Sequence, residues 1–261
     1  MNLSLSGKNA LVCGSTQGIG LAIAKELALL GASCTLMARN QETLALAIAS
    51  LAHGVGQEHG FIVADFSDRT AVEQAVRQHV GRTTVHILVN NTGGPPAGPI
   101  TDASPDVFLR YFEQHIAVNQ VLAMACLDGM KAAHYGRIIN IVSTSVRIPI
   151  DNLGVSNTIR GATASWAKTW SNEVGQFGIT VNNVLPGFTK TERLNALIQN
   201  IATRKGVEVD VVAAQMAAEV PARRFGEAEE IAAYATFLAT PAAAYINGTS
   251  VPVDGGRTGA I

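Results

Sequence analysis

A glycine-rich turn near the start of the chain constrains the fold more than any other feature. Residues 9–13 are apolar and have the pattern of a buried parallel strand. After the turn, residues 21–30 carry helical periodicity until Gly31. In this strand–turn–helix context, backbone amides and a helix N-terminus can bind phosphate. We therefore predict a phosphate-binding turn formed by Gly14, Ser15, Thr16, Gln17, Gly18, Ile19 and Gly20.

Strand-like and helix-like segments continue to alternate along the whole chain. Further strands are predicted at residues 33–38, 61–64, 85–89, 137–142, 179–185 and 249–253. The alternation predicts an α/β fold, a single doubly wound parallel sheet of about seven strands with helices on both faces. Without an internal repeat or a linker, residues 1–261 are predicted to form one domain. Residues 188–225 are irregular and are predicted to form a lid over the site.

The helix-like segments have less certain ends. Residues 104–133 have the pattern of one long helix or two joined ones, with His115 and Asn119 one turn apart. Asn40 is predicted to cap the second helix, Ser67 to cap the third, and a long helix is predicted over 161–177.

Six residues of interest follow the predicted strand ends, where ligands bind in parallel sheets. They are Gly14, Arg39, Asp65, Asn91, Ser143 and Pro186, and their convergence on one sheet edge predicts a single site. The pair Asn90-Asn91 could either brace the sheet or border a ligand. After the second strand the chain has Arg39 and no acid, which favours a dinucleotide with a 2′-phosphate on its ribose. A solvated surface arginine is the alternative.

Composition excludes several classes of partner. A formal net charge of −1 does not favour nucleic acid or an anionic membrane, and no apolar run reaches the roughly 20 residues that span a bilayer. The N-terminus lacks the pattern of a secretory signal. Three cysteines in apolar surroundings are expected to be reduced, and the scattered His and Cys residues predict no metal site. We expect a cytoplasmic protein with a small-molecule substrate.

Several motifs, in order, resemble those of the short-chain dehydrogenase/reductase family over nearly the whole chain. Glycines 14, 18 and 20 match its glycine motif, residues 90–93 match its Asn-Asn-Ala-Gly, and residues 186–187 match its Pro-Gly turn. Its adenine-contacting Asp, helix Asn and catalytic Ser are matched by Asp65, Asn119 and Ser143.

The resemblance implies an NADP(H)-dependent oxidoreductase, with NADP(H) favoured over NAD(H). It also implies a homo-oligomer, most simply a tetramer, formed through the Asn119 helix and the helix 156–177, whose small-residue face is Gly161, Ala164, Ala167 and Ser171. Besides the glycine turn, the implied cofactor-binding residues are Arg39, Asp65, Phe66, Asn91, Gly93, Arg160, Pro186, Gly187 and Thr189.

The catalytic centre departs from the family pattern. The family places a Tyr thirteen residues after the Ser and a Lys four residues later, whereas this chain has Ser156 and Arg160 there and no Tyr-x-x-x-Lys anywhere. A serine hydroxyl is a much weaker acid than a phenol, and Arg160 stays protonated and cannot act as a base. The candidate catalytic residues are therefore Ser143, Asn119, Ser156 and Arg160.

Three functions remain open. In the first, Ser143 and Arg160 polarise a carbonyl group, and the proton comes through Ser156, a water near Asn119 or the substrate. The second is a non-catalytic NADP(H)-binding sensor or oligomer partner. The third is a non-redox lyase or dehydratase: halohydrin dehalogenases resemble the family and carry Arg in place of its Lys, but they keep the Tyr and lose the glycine motif.

Individual residues also have purely structural interpretations. Ser143 could cap the strand turn, Ser156 could be a helix N-cap, and Arg160 could be an ion-pair partner. His115 is interpreted as a structural histidine outside the site. Arg147 and Arg193 flank the expected cleft and could receive an anionic substrate, although solvated arginines are commoner.

Overall fold

In the computed structural model, which describes residues 1–259, seven parallel strands form one sheet. The strands lie in the order β3-β2-β1-β4-β5-β6-β7, so the direction of winding reverses between β1 and β4. Their bounds are β1 Asn9–Cys13, β2 Ser33–Ala38, β3 Gly60–Val63, β4 Ile87–Asn90, β5 Gly136–Ile141, β6 Ile179–Pro186 and β7 Ser250–Val253. The predicted doubly wound parallel fold is confirmed. Ligands bind at such a reversal, outside the carboxyl ends of the strands.

Nine α-helices accompany the sheet in the described part of the chain. They are α1 Gly18–Leu29, α2 Gln41–Ala49, α3 Arg69–Val80, α4 Pro105–Phe112, α5 Val118–Ala132, α6 Gly154–Val174, α7 Glu192–Lys205, α8 Val209–Ala218 and α9 Ala228–Ala239. One apolar cluster joins the sheet to α1, α2 and α9, and a second joins its other face to α3, α5 and α6. Helices α7 and α8 share a separate small apolar cluster. None of the helices in residues 1–259 is long and apolar enough to span a bilayer.

Helix starts show where the local sequence signals hold. The Asn40 side chain accepts a hydrogen bond from the Thr43 amide at 2.9 Å, so its predicted capping role is confirmed. The predicted cap at Ser67 is wrong, because Asp68 accepts from the Ala71 amide at 2.9 Å and the helix begins at Arg69. A carboxylate one residue nearer the helix makes the better acceptor there.

Helix α6 begins seven residues before its predicted start. Leu153 occupies the N-cap position without a side-chain cap, and the helix runs from Gly154. The N-cap interpretation of Ser156 is therefore wrong, because this residue lies inside the first turn. Since Arg160 follows one turn later, both side chains point towards the carboxyl end of β5.

The predicted segment 104–133 consists of two joined helices. A π-helical turn, Glu113–Ala117, connects α4 to α5. Such turns insert an extra residue and are frequent at functional sites. Here the π turn holds His115, and the first turn of α5 holds Asn119, both buried.

A ladder of polar side chains, three asparagines and one serine, crosses four neighbouring strands. Asn90 donates to Asn140 at 2.8 Å, Asn140 donates to Asn183 at 2.9 Å, and Asn183 donates to the Ser250 hydroxyl at 2.9 Å. These residues are also paired in the strand register. Because buried amides must find partners, the ladder fixes the register of the strand ends that carry the site.

Replacing the central member of this ladder should destabilise the protein. Asn140→Leu leaves the Asn90 amide nitrogen and the Asn183 amide oxygen buried and without their partner, so the free energy of unfolding in urea should fall by about 2–4 kcal/mol. The matched substitution Asn200→Leu, on the exposed face of α7, should change it by less than about 0.5 kcal/mol. Equal stabilities of the two variants would show that the ladder does not hold the strand ends.

Candidate active site

The glycine turn has the geometry of a phosphate cradle. A Cβ on Gly20 would lie 2.2 Å from the Gly14 carbonyl oxygen, so the turn and α1 pack more closely than any other residue allows. Gln17 occupies the N-cap position of α1 and provides no side-chain cap. The first amides of α1 and the buried Ser15 hydroxyl, which lacks a partner among the described residues, are therefore free to bind an anion.

Both residues of the Asn90-Asn91 pair brace the sheet. Asn90 belongs to the ladder of polar side chains. The Asn91 side chain donates to the Gly14 carbonyl at 2.9 Å and to the Cys13 carbonyl at 3.3 Å, which joins the end of β4 to the glycine turn. Beyond them, a Cβ on Gly93 would meet open space, so a ligand can approach this backbone closely.

The ends of β2 and β3 present opposite charges. Arg39 is exposed and forms no ion pair within residues 1–259. The Asp65 carboxylate accepts hydrogen bonds from the Ser67 amide at 2.9 Å and from the Ser67 hydroxyl at 2.8 Å. The hydrogen bond from the backbone amide, with a smaller contribution from the charge of Arg39, lowers the pKa of Asp65. Phe66 is buried in the apolar cluster of α3 and α5, which leaves only its backbone available to a ligand.

Three of the four candidate catalytic residues line one cavity. Its volume is about 190 Å³, and Ser143, Ser156 and Arg160 face it. The glycine-turn side contributes Ile19 and Asn91, the last residue of β6 contributes Pro186, and the loop after it contributes Gly187 and Thr189. The apolar wall consists of Ile150, Leu153, Phe188, Leu194 and Leu197. Of the six residues predicted to converge at this sheet edge, this cleft is lined by Asn91, Ser143 and Pro186, whereas Gly14, Arg39 and Asp65 are not part of its lining.

Arg160 is a buried cation without an acidic partner in the described chain. The residue is 8% exposed, and its Nη1 donates to the Ile141 carbonyl at 2.9 Å while its Nε has no partner. Burial, with a further contribution from Arg193, lowers its pKa to about 10, so it remains protonated at neutral pH. The interpretation of Arg160 as a structural ion-pair partner is wrong.

Asn119 and His115 lie in a small adjoining chamber that shares Arg160 with the main cavity. The chamber has a volume of about 10 Å³ and is lined by Asn90, Thr92, His115, Asn119, Asn140, Ile141, Arg160 and Thr163. His115 Nδ1 lies 3.1 Å from the Thr92 hydroxyl, and its buried Nε2 has no partner among the described residues. The sequence argument excluded His115 from the site, although its spacing from Asn119 was visible.

His115 should make stability depend on pH. Burial foremost, and then Arg160, lowers its pKa to about 3. Since the unfolded chain binds this proton near pH 6.5 and the folded chain does not, stability present above pH 6.5 is lost as the pH falls. Between about pH 6.5 and pH 4, the free energy of unfolding should fall by on the order of 3 kcal/mol more for wild type than for His115→Gln. If urea unfolding gave the same pH dependence of stability for wild type and for His115→Gln, the buried environment assigned to His115 would be contradicted.

Comparison with known proteins decides the family. A family model described as enoyl-(acyl carrier protein) reductase matches residues 14–258. A solved structure described as a short-chain dehydrogenase/reductase family protein is 31% identical, with a TM-score of 0.82 over 97% of this chain and 98% of that one. The chain belongs to the short-chain dehydrogenase/reductase family. The predicted resemblance is confirmed over almost the entire sequence.

Relatives within the short-chain dehydrogenase/reductase family cover nearly the full length of the chain. The NADPH-dependent reductase BacG of Bacillus subtilis is 31% identical over 97% of this chain and 98% of its own. The 3-oxoacyl-[acyl-carrier-protein] reductase FabG of Pseudomonas aeruginosa is 34% identical over the same shares. The structure of L-sorbose reductase from Gluconobacter frateurii, complexed with NADPH and L-sorbose, has a TM-score of 0.93 at 30% identity, covering 100% of both chains.

Proposed function

We propose that this protein is an NADP(H)-dependent oxidoreductase that interconverts a carbonyl and an alcohol group, with Ser156 and Arg160 replacing the Tyr and Lys of the family pattern. The observation that carries this proposal is the continuous cleft. It runs from the glycine turn at Ile19 and Asn91 to Ser143, Ser156 and Arg160. A bound dinucleotide and a small substrate can therefore meet beside these three side chains.

NADP(H) is the cofactor that the binding residues fit. The glycine turn and the start of α1 would hold the pyrophosphate, Asp65 would accept from the adenine amino group, and the unpaired Arg39 would bind the 2′-phosphate. Gly93, Pro186, Gly187 and Thr189 would border the nicotinamide half, and Phe66 would contribute its backbone. The NADPH-dependent relatives support this choice. When bound, the cofactor supplies or accepts the hydride.

The protein's own side chains would stabilise the negative charge that develops on the carbonyl oxygen and would supply or relay the proton. Ser143 Oγ accepts from the Ser145 amide at 3.1 Å, so its own proton is free to be donated to a carbonyl oxygen. The Arg160 cation, in a poorly solvated site, stabilises negative charge that develops on that oxygen. The proton itself would come from Ser156, from a water near Asn119 or from the substrate.

Helices α7 and α8 would form the lid. Arg193, Leu194 and Leu197 extend from α7 into the cavity, so movement of this segment would open or close it. The lid spans residues 188–225 of the single domain 1–261. A backbone bridge between Thr189 and Gly226 pairs the beginning of the segment with the residue that follows it.

We also propose a homo-oligomer, a tetramer by family resemblance, formed through α4, α5 and α6. Leu109, Phe112 and Met124 expose large apolar side chains there, at 68%, 48% and 51% of their surfaces. The small-residue face predicted on α6 is only partly available, since Ala167 and Ser171 are buried within the protomer. The interface would therefore use the larger apolar residues together with Gly161 and Ala164.

A non-catalytic NADP(H)-binding role is the second candidate. It is favoured by the replacement of a phenol by the Ser156 hydroxyl, because losing a positioned acid typically slows a reaction about 10²–10⁴-fold. A non-redox lyase is less well supported, because the glycine turn is intact. Turnover of NADPH separates the first candidate from the other two.

Calorimetry with both dinucleotides tests the cofactor assignment. Wild type should bind NADPH at least about tenfold more tightly than NADH, because a charge-assisted contact to Arg39 contributes about 1.5–3 kcal/mol. Arg39→Ser should remove this preference, and Arg82→Ser, on an exposed loop after α3, should keep it. Equal affinities of wild type for NADPH and NADH would refute the assignment.

A further inference from the structure

Two arginine side chains from different helices meet beside Gly94. A Cβ on Gly94 would lie 2.9 Å from Arg160 Nη2 and 2.8 Å from both Nη1 and Nη2 of Arg193. The guanidinium group from α6 and the one from the start of α7 therefore contact the same glycine. Because any side chain at position 94 would collide with them, the glycine makes room for this pair of cations.

The pair has no negative counter-charge in the described chain. None of the ion pairs within residues 1–259 involves Arg160 or Arg193. Their described partners are backbone carbonyls: Arg160 Nη1 donates to Ile141 at 2.9 Å and Arg193 Nη2 donates to Pro95 at 3.2 Å. Arg160 Nε is buried without a partner among the described residues, whereas Arg193 is exposed.

Two like charges held in this way oppose each other. Burial lowers the pKa of both arginines, and the charge of Arg193 lowers that of Arg160 further. An unpaired buried cation such as Arg160 is costly unless an anion accompanies it. Guanidinium groups also have the planar donor geometry that matches a carboxylate. The structure thus presents a preformed anion site.

The position of the arginine pair indicates that it binds a substrate and not the phosphates of the cofactor. The phosphates of the proposed cofactor have their own partners at the glycine turn and Arg39. The arginine pair instead faces the cavity that holds Ser143 and Ser156. On its other side this cavity is apolar, with Ile150, Leu153 and Leu197. An anionic group bound here would place an attached carbonyl beside the candidate catalytic residues.

We infer that the substrate carries a carboxylate close to its reacting carbonyl group and that Arg160 and Arg193 bind this carboxylate together. The identification of the bound anion as a substrate rests on the proposed function, but the anion site itself does not. The cavity of about 190 Å³ limits the ligand to a small acid with an apolar remainder. Arg160 has further N–H donors besides the one bound to Ile141, so it can contact the carboxylate and the carbonyl oxygen.

The test compares an acid with its uncharged ester. Benzoylformate has a carboxylate beside a carbonyl and a phenyl ring for the apolar wall, and methyl benzoylformate has an uncharged methyl ester in place of the carboxylate. Calorimetric titration into the protein saturated with NADP⁺ measures binding without turnover. Wild type should bind the acid at least about tenfold more tightly than the ester, the effect of one charge-assisted contact. Arg193→Gln should abolish this ratio, and Arg204→Gln, exposed at the end of α7, should retain it.

Each other outcome has a definite meaning. Equal or undetectable binding of acid and ester to wild type overturns the inference. An Arg193→Gln variant that keeps the acid-to-ester affinity ratio also overturns the inference, because Arg193 then does not bind the carboxylate. A variant that keeps this ratio and loses affinity for NADPH overturns it as well and assigns Arg193 to the cofactor. Selective binding of the acid without NADPH consumption supports the anion site and counts against the proposed reductase. Failure of NADPH itself to bind contradicts the proposed function alone.

Discussion

Arg160→Met is expected to reduce kcat/KM by about 10²–10³-fold, the cost of removing one preorganised charge from a developing oxyanion. Methionine fills a similar volume, so the cavity stays packed while the cation beside Ser143 and Ser156 is lost. NADPH consumption in the presence of a carbonyl substrate measures the effect. We expect the free energy of unfolding to stay the same or rise, since the buried cation has no acidic partner in residues 1–259.

The control for this variant is Arg77→Met. Arg77 lies on the exposed face of α3, and its one ion-pair partner among residues 1–259 is Glu73, at 2.8 Å. Its replacement should leave kcat/KM unchanged and should alter stability by less than about 1 kcal/mol. If Arg160→Met and Arg77→Met were equally active, Arg160 would have no part in catalysis. If Arg160→Met were inactive because it unfolds, urea unfolding would reveal it.

Gly20→Ala is expected to weaken NADPH binding by about 100-fold, near the upper end of the 1–3 kcal/mol that overpacking costs. The added methyl would lie 2.2 Å from the Gly14 carbonyl oxygen and 2.6 Å from Asn91 Nδ2. The glycine turn must therefore move away from α1, and the Asn91 bonds that hold it to β4 must lengthen. Fluorescence titration with NADPH measures the loss.

Gly60→Ala provides the matched comparison. Gly60 begins β3 and so lies at the amino end of that strand, whereas the site is at the carboxyl ends, and a Cβ there meets no atom within 4 Å. Its NADPH affinity should equal that of wild type. Should Gly20→Ala bind NADPH as tightly as Gly60→Ala does, the turn would not be the pyrophosphate site.

The sheet and the glycine turn could be predicted from the sequence because both depend on local signals. Apolar runs predict buried strands, and the spacing of three glycines after one of them predicts a tight turn before a helix. The start of α6 was misplaced because Leu153 supplies no side-chain cap and Gly154 is a weak helix former. The role of Asn140 was invisible because it depends on register between β4, β5 and β6.

The substrate half of the site depends on contacts between distant segments. Arg160 and Arg193 meet only because the loop after Asn91 passes between α6 and α7. Nothing in the periodicity of residues 92–99 predicts that path. His115 was excluded for a similar reason: its burial in the same chamber as Arg160 follows from a π turn, which has no sequence signal of its own.

Single-turnover loss of NADPH absorbance is the most direct test of the central claim, that a nucleotide cradle operates here with Ser156 and Arg160 in place of a Tyr and a Lys. Protein in excess over NADPH should be mixed with a panel of aldehydes, ketones and 2-oxo acids. The account predicts that wild type oxidises the bound NADPH stoichiometrically with at least one carbonyl compound, and that Arg160→Met does so about 10²-fold more slowly. Bound NADPH that is never consumed, or that Arg160→Met consumes at the wild-type rate, would contradict it.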